Sequence, residues 1–152
     1  MQATTVFGTD WFSEEKTIDT RVCGPVSFDD IEQWEQSLQF ALQQIENGGV
    51  FKIVVDLCGF SPIDMETHKR FRQVIPVTLT QYGWKVGYID LFEEEAKKLQ
   101  YTNTRNIKCI AAAHVHQDET KIGLYERSYS RHNEHFFTDP AAARKWLKEF
   151  SI

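Results

Sequence analysis

The tightest constraint on this chain is the run Ile53-Val54-Val55 together with the polar segment after it. Three adjacent β-branched residues inside the apolar stretch Val50–Leu57 read as a strand buried on both faces. Asp56 closes that strand, and Gly59, Ser61 and Pro62 punctuate a loop. Asp64 then stands where its side chain can accept backbone N–H groups and open a helix. Buried strand, polar loop, helix start: in α/β domains ligands gather at the carboxyl ends of strands, so this stretch is the first place to look for a site.

The flanking segments fit the same architecture. Thr5–Phe7 and Lys16–Cys23 read as two short antiparallel strands. Ser27, with Asp30 three positions on, starts a helix through a shortened capping box. Ile31, Trp34, Leu38, Ala41, Leu42 and Ile45 then fall on one face, and Asn47-Gly48-Gly49 supplies the left-handed stop. A second helix is expected over Met65–Tyr82, kinked or broken at Pro76, where one helical hydrogen bond is lost. Trp84–Leu91 reads as a strand and Phe92–Tyr101 as a short helix with acidic residues first and lysines last. Ile107–His116 reads as another buried strand, Asp118–Ser130 as a helix and Asn133–Phe137 as a last strand. Asp139-Pro140 places a cap and a first-turn proline at the start of the final helix. Alternating strands and helices give crossover units. The expected fold is therefore α/β, a mixed, mainly parallel sheet of about four to six strands with about four or five helices.

Length and composition bound the function. A chain of 152 residues suits one domain spanning 1–152 and buries a core without staples. A net charge of −5 argues against a nucleic-acid partner, which calls for a basic face. The three cysteines, Cys23, Cys58 and Cys109, have no CxxC or zinc-ribbon spacing and read as reduced thiols of a cytoplasmic protein. The first residues lack the pattern of a signal peptide, and no apolar run has the length of a membrane span. No cofactor is implied: GxGxxG, GxxxxGK[ST], GxSxG and HExxH are all absent from the sequence.

Several groups of residues carry possible chemistry. Asp56, Ser61, Asp64, Glu66, Thr67 and His68 make a binding or regulatory loop at a helix N-terminus, or only a cap, a turn and solvated side chains. His114 and His116 are two apart and share a strand face, so both imidazoles point the same way. A metal would need a third ligand, such as His68 or Glu134, and a polar strand end is the plainer reading. Cys58 becomes a nucleophile only beside a base such as His68 or His114. Lys69, Arg70 and Arg72 read as a solvated helix face around Phe71. The run of Tyr125, Arg127, Tyr129, Arg131, His132 and His135 lines a pocket or packs under the last helix.

Short segments and the order of elements resemble a known family. Cys23-Gly24-Pro25-Val26 is similar to the strand end before the first helix of STAS domains (sulfate transporter and anti-sigma-factor antagonist). Val54-Val55-Asp56-Leu57-Cys58-Gly59-Phe60-Ser61-Pro62-Ile63-Asp64 resembles the family's strand followed by Asp-Leu-Ser-x-Val-x-x-Ile-Asp. Asn133–Leu147 resembles the FxDxxxAxxWL close of its stand-alone bacterial branch. The resemblance implies a helix-flanked mixed sheet, no catalysis, and a role in binding a protein or a small molecule. In anti-sigma antagonists a serine in the Ser-Ser-Gly loop accepts phosphate. Here that segment is Met65-Glu66-Thr67 and the acceptor position falls on Glu66, a permanent negative charge at the helix start, so the switch is expected to be absent or frozen in a state resembling the phosphorylated one, with Thr67 and Ser61 as the alternative acceptors off the matching position.

The leading expectation is a non-enzymatic STAS-like domain that binds a protein partner or a small apolar or anionic ligand near Asp56–His68. The alternative is a small enzyme, a hydrolase or a metal-dependent one, using His114, His116 and Cys58 or His68. Enzymes need polar side chains that converge, whereas a binding module needs an apolar patch or pocket. A homodimer through an edge strand, Thr5–Phe7 or Lys16–Cys23, fits either.

Overall fold

A computed structural model describes residues 5–151. The chain runs β1 (Val6–Phe12), β2 (Thr17–Val26), α1 (Phe28–Gln43), β3 (Val50–Leu57), β4 (Phe60–Pro62), α2 (Met65–Thr80), α3 (Glu93–Lys97), β5 (Lys108–His116), α4 (Glu119–Tyr129), β6 (Glu134–Phe137) and α5 (Pro140–Glu149), with 3-10 turns at Ile89–Leu91 and Thr104–Asn106. The strands form one mixed six-stranded sheet in the order β1-β2-β3-β5-β6, with β4 paired to the end of β2. Among the described strands β1 and β2 pair antiparallel, and the other strand pairs are parallel. The expected α/β class, sheet type and helix number therefore hold.

The central strand behaves as its composition demands. Every residue from Phe51 to Asp56 is buried, because helices cover both faces. On one face α1 and α2 enclose Ile18, Val22, Phe51, Ile53 and Val55. On the other, Ala143 and Leu147 of α5 sit on Val54, Ala111, Ala113 and Val115. The small alanines of β5 let α5 approach closely. Helix α1 starts through the expected reciprocal cap: Ser27 Oγ accepts from Asp30 N–H at 3.1 Å and Asp30 Oδ2 from Ser27 N–H at 2.9 Å. Trp34 is fully buried and donates its Nε1–H to Thr20 Oγ1 at 2.7 Å.

Five expectations change. First, β1 runs on through Gly8 and Asp10 to Phe12, so the hairpin is longer than Thr5–Phe7 and Lys16–Cys23 suggested. Second, β2 lies between β1 and β3 and is not an edge; β1 and β6 are the outer strands. Third, α2 is unbroken across Pro76, whose ring is buried beside Val74, Ile75 and Leu79. Packing on the core holds the helix where local hydrogen bonding is lost. Fourth, Trp84–Leu91 is no strand. Trp84, Val86 and Ile89 are buried, so their spacing reports burial, not pairing. Gly87 lies against α4 and β6: a Cβ there would stand 2.5 Å from the Tyr129 carbonyl oxygen and 2.8 Å from Glu134 Oε1. Fifth, the helix expected over Phe92–Tyr101 shrinks to the five residues of α3.

Candidate functional site

A cavity of about 290 Å³ opens where β3 and β5 end, between α2 and α4. Val55, Leu57 and Val115 contribute its aliphatic wall, and Phe71, Tyr88, Phe92, Tyr125 and Phe136 its aromatic one. Its size is at the small end for ligand pockets, about 300–1,000 Å³. Three elements bring polar groups to it. His68 and Arg72 are one turn apart on α2 and share a face. His114 and His116 alternate with Val115 at the end of β5. Lys121 and Tyr125 are one turn apart on α4, with the ammonium 5.6 Å from the ring centroid.

His114 is held by three neighbours. Its ring stacks on Phe136 at 4.8 Å and meets the Tyr88 ring edge-on at 5.6 Å. Its Nε2 lies 2.9 Å from Glu134 Oε2; a carboxylate accepts, so Nε2 carries the proton. Glu134 is fully buried. Its other oxygen accepts from Gly87 N–H at 3.0 Å and from Arg131 Nη2 at 2.6 Å. Burial pushes the Glu134 carboxyl up, but His114 and then Arg131 outweigh it and leave it below its ordinary value. The same chain of bonds explains why residues 84–91 depart from strand geometry: Gly87 gives its N–H to Glu134, and Arg131 lies over the Trp84 ring at 4.8 Å.

Burial, reinforced by Arg72 and Lys121, lowers the affinity of His68 for its proton. Burial and Lys121 do the same to His116, with Asp118 opposing. Lys121 is itself lowered by burial, again opposed by Asp118. Tyr88 is pushed up by burial and by Glu134.

Of the six residues expected at the site, only His68 lines this cavity. Asp64 caps α2, accepting from Thr67 N–H at 2.8 Å. Glu66 and Ser61 are exposed. Thr67 is fully buried and its hydroxyl has no partner among the described residues. Asp56 faces α5, where Arg144 Nη2 reaches it at 3.1 Å. Cys58 packs beside that same α5 cluster, outside the cavity. His114 and His116 do share a face and both line the cavity, and Glu134 does meet His114. Among the described residues no group of three or more His, Cys, Asp or Glu is placed to hold a metal ion. Sequence reasoning missed Tyr88, Phe92 and Phe136 as lining residues. Of the aromatic–basic run, Tyr125 enters the cavity, while Arg131 works behind it on Glu134.

No family model matches the chain. No curated protein matches it either. Among solved structures, it superposes on an uncharacterized protein of the DUF3478 family from Shewanella loihica PV-4, described as having a SpoIIAA-like fold. The TM-score is 0.50 and the identity 14%, over 97% of this chain and 98% of that one. This chain has a SpoIIAA-like fold. The SpoIIAA-like fold is STAS-like, as the strand–loop–helix at Val54–Asp64 and the Asn133–Leu147 close implied. It puts the cavity at the carboxyl ends of parallel strands, beside the loop that the motif marks rather than within it. No helix among the described residues is long and apolar enough to cross a membrane.

Proposed function

We propose that this SpoIIAA-like chain is a non-catalytic binding domain that takes a small, largely apolar molecule into the cavity between α2 and α4. The observation that carries this reading is the lining: aliphatic and aromatic side chains predominate, and among the described residues no carboxylate, thiol or aliphatic hydroxyl joins them. The His114–Glu134 pair is what favours the second reading, a small enzyme with an oriented imidazole as general base. That reading wants a nucleophile or a bound metal, and Cys58 belongs to the other face of the sheet.

Native mass spectrometry of gently purified protein tests the first reading. The expected result is a retained mass of a few hundred daltons, released on denaturation and lost when Ile122→Trp fills the cavity. A bare mass for the unmodified chain overturns it and points to a protein partner instead, docked near the exposed Ile63 and Met65. A metal-sized adduct would restore the ligand role of His114 and His116.

We further infer that the loop before α2 is not a phosphate switch, because Glu66 already places a carboxylate in the first turn. Incubation with lysate kinases and labelled ATP is expected to leave the chain unlabelled on this loop. Stoichiometric phosphate on Ser61 or Thr67 would contradict that inference.

A further inference from the structure

The polar part of the cavity is one-sided in charge. His68, Arg72, His116 and Lys121 all reach it, and among the described residues no Asp or Glu lines it. The nearby carboxylates are occupied. Glu134 is held by His114 and Arg131, Glu95 accepts from Arg72 Nη2 at 3.1 Å, and Asp118 caps α4 through Lys121 N–H at 3.1 Å. Among the described residues Arg72 keeps one donor unused beyond its pair with Glu95, and Lys121 pairs with no carboxylate. Arg72 Nε is buried without a hydrogen-bond partner, although its guanidinium is fixed by Glu95 and lies 5.0 Å over the Phe92 ring. The Lys121 ammonium rests over Tyr125 rather than on a carboxylate. All four line the same cavity, where the charge of Lys121 acts on both histidines and that of Arg72 on His68. An unmade bond at a buried, charged donor is costly, and a ligand oxygen that completes it is favoured.

We propose that the cavity binds an amphipathic anion, its apolar body among Phe71, Tyr88, Tyr125 and Phe136 and its carboxylate or phosphate head against His68, Arg72, His116 and Lys121. This rests on the reading of the cavity as a ligand site and names the ligand's chemical class. The aromatic wall excludes water from the head, which strengthens the charge-assisted hydrogen bonds it makes. The fork of Arg72 suits either head group, and Lys121 adds a mobile point charge.

Calorimetric titration of the full chain with decanoate, decyl phosphate and decanol tests the idea, since the three share one tail. At least one of the anions should bind about tenfold or more tightly than the alcohol, and whichever binds better identifies the head. Lys121→Met keeps the apolar stem and should weaken the anions by about fivefold or more while leaving decanol unchanged. Ile122→Trp should abolish all three. If decanol binds as tightly as the anions, or Lys121→Met moves all three alike, the anionic head is wrong and the cavity remains. If none of the three binds, the cavity reading itself falls with it.

Discussion

Glu134→Leu is expected to lower the unfolding free energy by about 3 kcal/mol, read from the denaturant midpoint at constant m. The fully buried carboxylate satisfies the Gly87 N–H, the Arg131 guanidinium and the His114 ring at once. Leucine fills the volume and satisfies none of them. Arg131 is 43% exposed and can turn to water, so the loss falls mainly on Gly87 and His114, which cannot. Glu134→Gln, which still accepts one bond, should lose about half as much. The dependence on pH comes from the depressed carboxyl. A group whose folded value lies below its ordinary 4.5 contributes stability that is complete above that value and fades as pH falls through the folded one. The gap between wild type and Glu134→Leu should therefore be widest near neutral pH and narrow below about pH 4. A constant gap across that range would mean that the variant suffers from poor packing instead.

The second large effect lies on the opposite face. Arg144 of α5 grips Asp19 with two bonds of 2.8 and 2.9 Å and reaches Asp56 at 3.1 Å. Both carboxylates are nearly out of solvent, while the arginine is 35% exposed. Arg144→Met keeps the apolar stem and removes the only cation among the described residues that serves both acids; Arg21, 3.7 Å from Asp19, still helps one of them. A loss of about 2–3 kcal/mol is expected, less than for a fully buried pair because water reaches the guanidinium. Adding Asp56→Asn to Arg144→Met should recover part of it, since the second change removes the charge that the first left unpaired. Additive losses in the double variant would show that Arg144 acts through packing alone.

Much of the fold was legible because its signals are local. Ser27 with Asp30, the Ile53–Val55 run and Asp139-Pro140 each specify their element within a few residues, and tertiary packing agrees with them. Pro76 and Trp84–Leu91 were misread for the same reason. Neighbours far along the chain decide both: the core beneath α2 overrides a proline, and Glu134 holds Gly87 47 residues away in sequence. The candidate site was half legible. The His114–His116 pair announced itself by spacing, and the loop from Asp56 to His68 lies at the same end of the sheet as the cavity. Its members disperse, though, because the strand and the loop expose alternate residues to different faces; Asp56 turns to α5 and His68 to the cavity beside α2. Tyr88, on an irregular segment, carries no periodicity that could have placed it beside His114.

Lys52 sets the order in which this molecule can be finished. It is almost completely buried in the central strand, and its ammonium donates to the carbonyl oxygens of Leu147 at 2.7 Å and Phe150 at 3.1 Å, at the end of α5. Helix C-termini welcome cations, so the pair is favourable once made, although burial lowers the lysine's hold on its proton. The acceptors lie 95 and 98 residues downstream of the donor. During synthesis β3 emerges long before them, and until they arrive its middle carries a charge that cannot be buried at low cost. The α5 face of the sheet is therefore not expected to close until α5 itself has been synthesised, and the same lysine that delays closure is the one that locks that helix down.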